Sequence, residues 1–407
     1  GLGWLGSGST GTASSIGASH SPETPGPAAS ATVLPQRYVP DPVDYSAIHA
    51  RLQTSLERER IRLTIPGVVA SVVFPDGHVW SGTSGLADLA TGRPLRPDTP
   101  FAVASVSKTF LAAEILSLIH EGRLQLEAAA APLLPGVTVG GRSIDPGITI
   151  HQLLDHTSGL RDYLVDAALN RAALADPTAV WTPEQALSYA GSPIAKPGVG
   201  YHYSNTNYLL LGLVAEAITG RPLALEYRAR FFSKLGMESA TFQGVEPPVS
   251  VLPTAYRFAS GAVNAKPIDV TDGTAVRPFT AITTASGGAG SVAASAPDLA
   301  RWGAALYGGE ILAASGLRAM IADAARTAKL RPGHSYGLGV QVQPIEGFVS
   351  YGHSGRLVGS RTVLRWFPDL DVAIAIVTNQ SRYDPELILR ALLPVAAPAA
   401  AGSADRE

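Results

Sequence analysis

The chain has 407 residues, is 46% hydrophobic and 16% charged, and carries a formal net charge of −2. That is enough apolar material for a large buried core, and the near-neutral balance gives no electrostatic footprint for nucleic acid or an anionic membrane. The absence of cysteine excludes disulfides, thiolate metal sites and a cysteine nucleophile.

In chain order, Gly6 to Pro35 is rich in Ser, Gly, Ala, Thr and Pro, so residues 1–40 are expected to form a flexible leader. The chain starts at Gly1 without a Met. This suggests a removed signal peptide and export to the periplasm or exterior, with a cytoplasmic location as the alternative. No apolar run is long enough to span a bilayer. Tyr45, Ile48, Leu52 and Leu56 predict a helix over Val43–Ile61. Val68–Phe74, the turn Pro75-Asp76-Gly77 and His78–Gly82 predict a hairpin. Phe101–Ala104 reads as the end of a strand, followed by a helix through Leu118 with Gly122 as its stop. A helix-rich middle contains the capping box Thr182-Pro183-Glu184-Gln185. Ser204 or Asn205 caps a helix running to Thr219-Gly220. Residues 246–282 look irregular, and Gly288-Ala289-Gly290 reads as a packed glycine strand. Strands are then expected at Tyr336–Val342, Phe348–Tyr351, Ser360–Phe367 and Val372–Val377, a helix at Pro385–Leu393, and a loose tail over 397–407.

Strands at both ends around a helical middle give an α+β fold, an antiparallel sheet flanked by helices plus an all-α subdomain. The folded domain is expected to span 41–396, its α/β part being 41–120 and 284–396 and its helical part 121–283. The cleft between the two parts is the expected site.

Three motifs carry chemistry. Ser105 and Lys108 lie three apart near a helix N-terminus, so they share a face while Ser107 points elsewhere. A desolvated lysine can take a serine's proton. The bland alternative makes Ser105 a cap and Lys108 a surface charge. Tyr203 and Asn205 form the second motif. A phenol beside an ammonium can lose its proton below its usual value of about 10 and act as a base, while the amide can hold the lysine or a substrate carbonyl. The third is His353-Ser354-Gly355-Arg356 on a strand. Here Gly355 permits close backbone approach and the next amide can donate to an oxyanion. By itself such a histidine is more often structural.

In this order, the motifs resemble the serine β-lactamase and penicillin-binding protein superfamily. The branch is that of class C β-lactamases, DD-carboxypeptidases and β-lactamase-fold esterases. Similarity extends over roughly residues 44–396 and includes Leu153–Leu160, Gly287–Ser291 and Pro297–Trp302. The resemblance implies a β-lactamase/transpeptidase-like fold and acylation at Ser105, with Lys108 and Tyr203 sharing the proton transfers. It also implies an oxyanion hole from the amides of Ser105 and Arg356, with substrate held by Asn205, His353, Ser354 and Gly355. No cofactor or metal is implied. The substrate would be a small ester, a β-lactam or a cell-wall peptide. Carboxypeptidases of this branch carry an arginine on the strand before His-Thr-Gly, where this chain has Gly339-Val340-Gln341-Val342-Gln343. Arg356 could replace that cation or face solvent. An esterase is therefore expected, with a D-alanyl-D-alanine carboxypeptidase or β-lactamase as the alternative. A non-catalytic penicillin-binding sensor is the reading from another class; the intact motifs weigh against it.

Two decoys carry less. Gly333-His334-Ser335-Tyr336-Gly337 matches a nucleophile elbow, but its serine leads into a strand and no Asp separates it from His353. His151, Asp155 and His156 lack the zinc-enzyme spacing, and a capping or core role is expected for them.

Overall fold

The computed structural model describes residues 43–260, 265–330 and 335–404. The expected leader lies outside the described residues, as do Gly333 and His334 of the elbow motif. The long helix α1 (Tyr45–Arg62) leads into β1 (Gly67–Val73), β2 (Val79–Asp88) and β3 (Arg93–Pro94). The C-terminal part adds β4 (Gln341–Ile345), β5 (Phe348–Leu357), β6 (Ser360–Phe367) and β7 (Val372–Thr378). Together they form one antiparallel sheet in the order β4-β5-β6-β7-β1-β2-β3. The first hairpin forms as expected, and β7 joins the two ends of the chain through Val69↔Val377 and its neighbours.

Every residue of β1 and β7 is buried. Side chains alternate across a strand, so each strand supplies two cores. Val68, Val72, Ile374 and Ile376 pack with Leu52 and Leu56 of α1 and with Ile388 and Leu392 of the last helix. Val69, Ala373, Ala375 and Val377 face the other way, towards Phe110, Trp302 and the helical half. Removing one such large aliphatic side chain from water contributes roughly 1.5–3 kcal/mol.

On that second face the helix Ala296–Tyr307 packs against β1, β6 and β7, and behind it lies α2 (Ser107–His120), whose buried residues include Lys108 through Leu116 and so cover its whole circumference. A helix apolar all round belongs inside a protein, and α2 is the central one here. Phe110 stacks on Trp302 at 4.1 Å, and the Trp302 indole N–H donates to Thr109 Oγ1 at 2.8 Å. Next to α2 runs α3 (Asn205–Thr219). The helical subdomain also contains the predicted capping box on Thr182, which forms in both directions.

Four local expectations are corrected. Gly287–Ala289 forms a 3-10 turn, with a strand only at Val292–Ala294. Gly287 has φ 46°, and a Cβ there would meet Leu209 at 2.7 Å, so the run is packed but folded back against α3. Tyr336 makes only an isolated bridge to Gln341, because a turn closed by Gly337 N–H on the Val340 carbonyl (2.8 Å) interrupts the expected strand. Ser204 stands at the N-cap of α3 without a capping hydrogen bond from its side chain. The last helix, α4 (Glu386–Ala404), continues past Ala396 into the stretch expected to be loose. Among the described residues, no single helix is long and apolar enough to cross a membrane.

Glu114 on α2 is buried, and burial pushes its carboxyl up to about 7 although Arg230 Nε lies 3.1 Å away. A folded-state value above the unfolded one means the contribution of Glu114 to stability is complete below about 4.5 and lost as pH rises through about 7. Glu114→Gln is therefore expected to raise Tm at pH 8, the gain shrinking by pH 5. Calorimetric melts at both values check this; an equal shift at both would contradict it.

Candidate active site

The strand Phe101–Ala102 ends where the Val103 amide donates to the Val292 carbonyl at 3.0 Å. A 3-10 turn over Ala104–Val106 then feeds α2. Ala104 has φ 51°, a left-handed conformation costly for a residue with a Cβ, placed immediately before the serine. Ser107 is buried and accepts from the Val292 amide at 3.1 Å, so its hydroxyl is structural. Ser105 shares a face with Lys108, as the spacing predicts.

Lys108 is completely buried. Its Nζ donates to Ser105 Oγ (3.0 Å), Asn205 Oδ1 (2.7 Å) and the Ala289 carbonyl (2.8 Å). Burial lowers the amine from 10.5 to about 7, against an upward pull from Asp162. The alternative of a solvated surface lysine is thus excluded by position. The Ala289 carbonyl comes from the 3-10 turn that replaced the expected glycine strand, and a backbone acceptor leaves no mark in the sequence.

Asn205 opens α3 and turns its other end to Asp162, Nδ2 donating to Oδ2 at 2.9 Å. Tyr203, half-buried, lies with its ring 5.2 Å from Lys108 Nζ and 4.2 Å from the His156 ring. The expectation of an acidic phenol is not met. Burial pushes Tyr203 above its ordinary value, and hydrogen bonding with Ser105 offsets this only in part. The cause is shared: the burial that disfavours the ammonium of Lys108 also disfavours the phenolate of Tyr203. His156 takes the core role expected for it. It is buried, its Nδ1 accepts from the Ser204 amide at 3.2 Å, and burial holds it neutral.

Along β5, three assignments change in detail. His353 is 1% exposed, its Nδ1 donating to the Ser354 carbonyl at 2.7 Å and its Nε2 accepting from the Tyr336 hydroxyl at 2.9 Å. Burial lowers it to about 3, so the ring is neutral, and both nitrogens are committed inside the protein. It supports the wall without offering the cleft a polar atom. Ser354 Oγ accepts from Gln341 Nε2 at 3.2 Å, and Gln341 Oε1 is held in turn by Arg365, a buried cation on β6, at 2.8 Å. A Cβ on Gly355 would lie 2.1 Å from the Val103 carbonyl oxygen. The close approach expected of substrate is made by the segment that presents Ser105.

The register places the Arg356 amide. β5 and β6 meet at a two-residue turn, with Leu357↔Ser360 as the closing pair, so Gly355 and His353 bond across to β6 and the amides of Ser354 and Arg356 face the other edge. The Ser354 amide confirms the direction by donating to Gln341 Oε1 at 3.0 Å. Pairing with β4 stops at Gly352, so the Arg356 N–H points past the end of β4, on the edge where Gly355 meets Val103 and Ala104. A cleft of about 1080 Å³ opens there, bordered by Asp162, Asn205 and Arg356 and walled further out by Val165, Leu174 and Phe279. The Arg356 side chain is exposed on this wall.

A family model described as Beta-lactamase matches residues 53–397. The chain belongs to the Beta-lactamase family. Among its relatives, Esterase EstB of Burkholderia gladioli is 33% identical over 219 residues, a stretch covering 52% of this chain and 56% of the esterase. Penicillin-binding protein 4 of Amycolatopsis lactamdurans is 27% identical over 342 residues, 81% of this chain and 85% of that protein. The solved D-stereospecific amidohydrolase from Streptomyces superposes with a TM-score of 0.71 at 29% identity, covering 84% of this chain and 98% of its own.

Of the residues singled out in the sequence, Ser105, Lys108, Tyr203 and Asn205 come together, with Ser354, Gly355 and Arg356 along one edge. Sequence reasoning missed Asp162, Tyr336, Gln341, Arg365 and the Ala289 carbonyl. The elbow serine does not qualify, since Ser335 precedes a bridge and turn and no helix follows it. His151, Asp155 and Asp323 cluster closely, but Arg326 pairs with both carboxylates, so the group is a neutralised ion network.

Since any Cβ at position 355 collides with backbone, Gly355→Ala must displace either β5 or the Ser105 turn. Turnover is expected to fall on the order of 10²-fold, a loss typical of misplacement by about 1 Å, together with a lower Tm. Normal turnover in that variant would show that the contact does not set the nucleophile.

Proposed function

We propose that this family member is an esterase that forms an acyl-enzyme on Ser105. Its class, a serine hydrolase, follows from family membership together with the Ser105–Lys108 pair. The observation that carries the mechanism is the buried Lys108 with its three acceptors. An ammonium donates three hydrogen bonds; the neutral amine donates two and keeps a lone pair. With Asn205 Oδ1 and the Ala289 carbonyl taking the two donors, the lone pair falls towards Ser105 Oγ. Lys108 then accepts the serine proton as Oγ bonds to the ester carbonyl. The amides of Ser105 and Arg356 receive the oxyanion. Tyr203, a neutral phenol hydrogen-bonded with Ser105, passes a proton to the departing alkoxide and is reprotonated from Lys108. Water repeats the sequence on the acyl-enzyme, releasing acid and restoring Ser105.

Preference for esters is supported by the 33% identical esterase and by the glutamines at Gln341 and Gln343, where carboxylate recognition calls for an arginine fork. Gln341 is already engaged with Ser354 and Arg365. A second reading, hydrolysis of D-configured peptides or amides, rests on exposed Arg356 beside the cleft and on the 29% identical amidohydrolase.

Short-chain p-nitrophenyl esters are expected to exceed a D-Ala-D-Ala peptide in kcat/KM, with nitrocefin turned over weakly. Higher kcat/KM for the peptide, abolished by Arg356→Ala, would favour the second reading. Ser105→Ala should lower ester turnover on the order of 10³-fold or more, whereas Ser107→Ala and Ser335→Ala should keep most of it. An intact-mass acyl adduct mapped to another serine would overturn the assignment.

The pH dependence has a definite sign. Lys108 must be neutral to accept a proton, so kcat/KM should rise with pH through about 7 and then level. A flat profile between pH 5.5 and 8.5 would remove Lys108 as the base.

A further inference from the structure

Asp162 belongs to none of the three motifs, yet it is the next charged group beyond Asn205. Its Oδ1 accepts from the Leu164 amide at 3.0 Å, capping the 3-10 turn Tyr163–Val165. Its Oδ2 accepts from Asn205 Nδ2 at 2.9 Å, while Asn205 Oδ1 accepts from Lys108 Nζ at 2.7 Å. We infer that Asp162 is a positioning residue for catalysis: by fixing which end of the Asn205 amide faces Lys108, it directs the lysine lone pair at Ser105. The inference rests on the proposed role of Lys108 as base.

The argument is one of donors and acceptors. A carboxylate only accepts, so the amide end facing Asp162 must be the NH2 group, and the oxygen is turned to Lys108. Freed from Asp162, Asn205 can rotate its amide by half a turn. Nδ2 would then donate to the neutral amine and occupy the lone pair that Ser105 needs. The arrangement would still be hydrogen-bonded and buried, but the base would be blocked.

Asp162 also sets the local charge. The groups facing Lys108 are Ser105 from its own turn, Tyr203 and Tyr208 from the α3 segment, and His353 and His156 from β5 and the loop before the Asp162 turn. Burial holds both histidines neutral and both phenols protonated. Asp162 is therefore the anion that offsets part of the desolvation of Lys108. Removing it should lower the pH at which Lys108 loses its proton, a change that a purely structural cap would not produce.

Asp162→Asn removes the charge and one of the two acceptor oxygens. Asp162→Ser is the second variant: its hydroxyl can still cap the Leu164 amide but cannot serve Asn205 as well. With p-nitrophenyl butyrate, both are expected to lose on the order of ten-fold in kcat with KM within about three-fold, and to move the acid limb of kcat/KM down by about half a pH unit or more. A limb unmoved from wild type in a variant of wild-type Tm overturns the proposal, as does an unchanged kcat. Should Asp162→Asn fail to fold, the same outcomes are read from Asp162→Ser. Ser105 dependence and the acyl adduct of the wild type test the parent reading separately. A Ser105-dependent wild type whose Asp162 variants keep its pH limb defeats only the role of Asp162.

Discussion

Desolvating Lys108 is the constraint from which the rest of the site follows. Moving the amine from 10.5 to about 7 corresponds to a penalty on the order of 5 kcal/mol on the charged form, at about 1.4 kcal/mol per pH unit. No carboxylate touches the nitrogen to cancel that penalty. Its partners are a hydroxyl, an amide oxygen and a backbone carbonyl, all neutral. A direct ion pair would stabilise the ammonium and remove the base. Water would do the same. The site therefore needs an amine that is fully hydrogen-bonded, dry and held at one remove from its anion, Asp162.

Those requirements explain why the helix bearing the motif is buried on every side. A lysine on an ordinary amphipathic helix reaches solvent along its stem. Here α2 has the helix Ala296–Tyr307 on one flank, where Phe110 stacks on Trp302, and α3 with the Gly287–Ala289 turn on another. The small residues have the same origin. A Cβ on Gly288 would meet Leu111 at 2.7 Å, and one on Gly339 would meet Ala112 at 2.3 Å, so backbone comes within reach of α2 only where side chains are absent. The carbonyl of Ala289 can approach Lys108 because of that thinning.

This also marks what the sequence could and could not convey. The α1 helix, the first hairpin, the β6 and β7 strands and the Thr182 capping box are local, and periodicity or cap chemistry places each within a few residues. Ser105, Lys108, Tyr203 and Asn205 were legible because their spacing and order resemble a known set. Three kinds of information were not. The Ala289 acceptor is backbone and has no residue identity. His353 has the residue type expected of a substrate contact, but its burial and its partner Tyr336 depend on the turn at Gly337–Val340, which a continuous-strand reading removes. Asp162 lies in none of the sequence motifs, and its first oxygen only caps the turn Tyr163–Val165. Its second oxygen reaches Asn205 only because the fold brings together residues 43 apart.

Tyr203 illustrates the limit of reasoning from pairs. Beside an ammonium, a phenol is acidified; inside a protein, both members of the pair are desolvated, and each prefers to be neutral. The resting site accordingly combines Lys108 near its midpoint with groups that burial keeps neutral, Tyr203 protonated and His156 and His353 uncharged, with Asp162 behind. In the proposed reaction new charge develops when the serine proton moves, and the amides at Ser105 and Arg356 are the donors proposed to receive it. The inner groups are already committed to one another, so the unengaged side chains lie further out. On the cleft wall Val165 and Leu174 stand exposed at 72% and 68%, with the exposed Arg356 on the same wall. Substitutions there can change which acyl or leaving group fits without disturbing the buried bonds around Lys108.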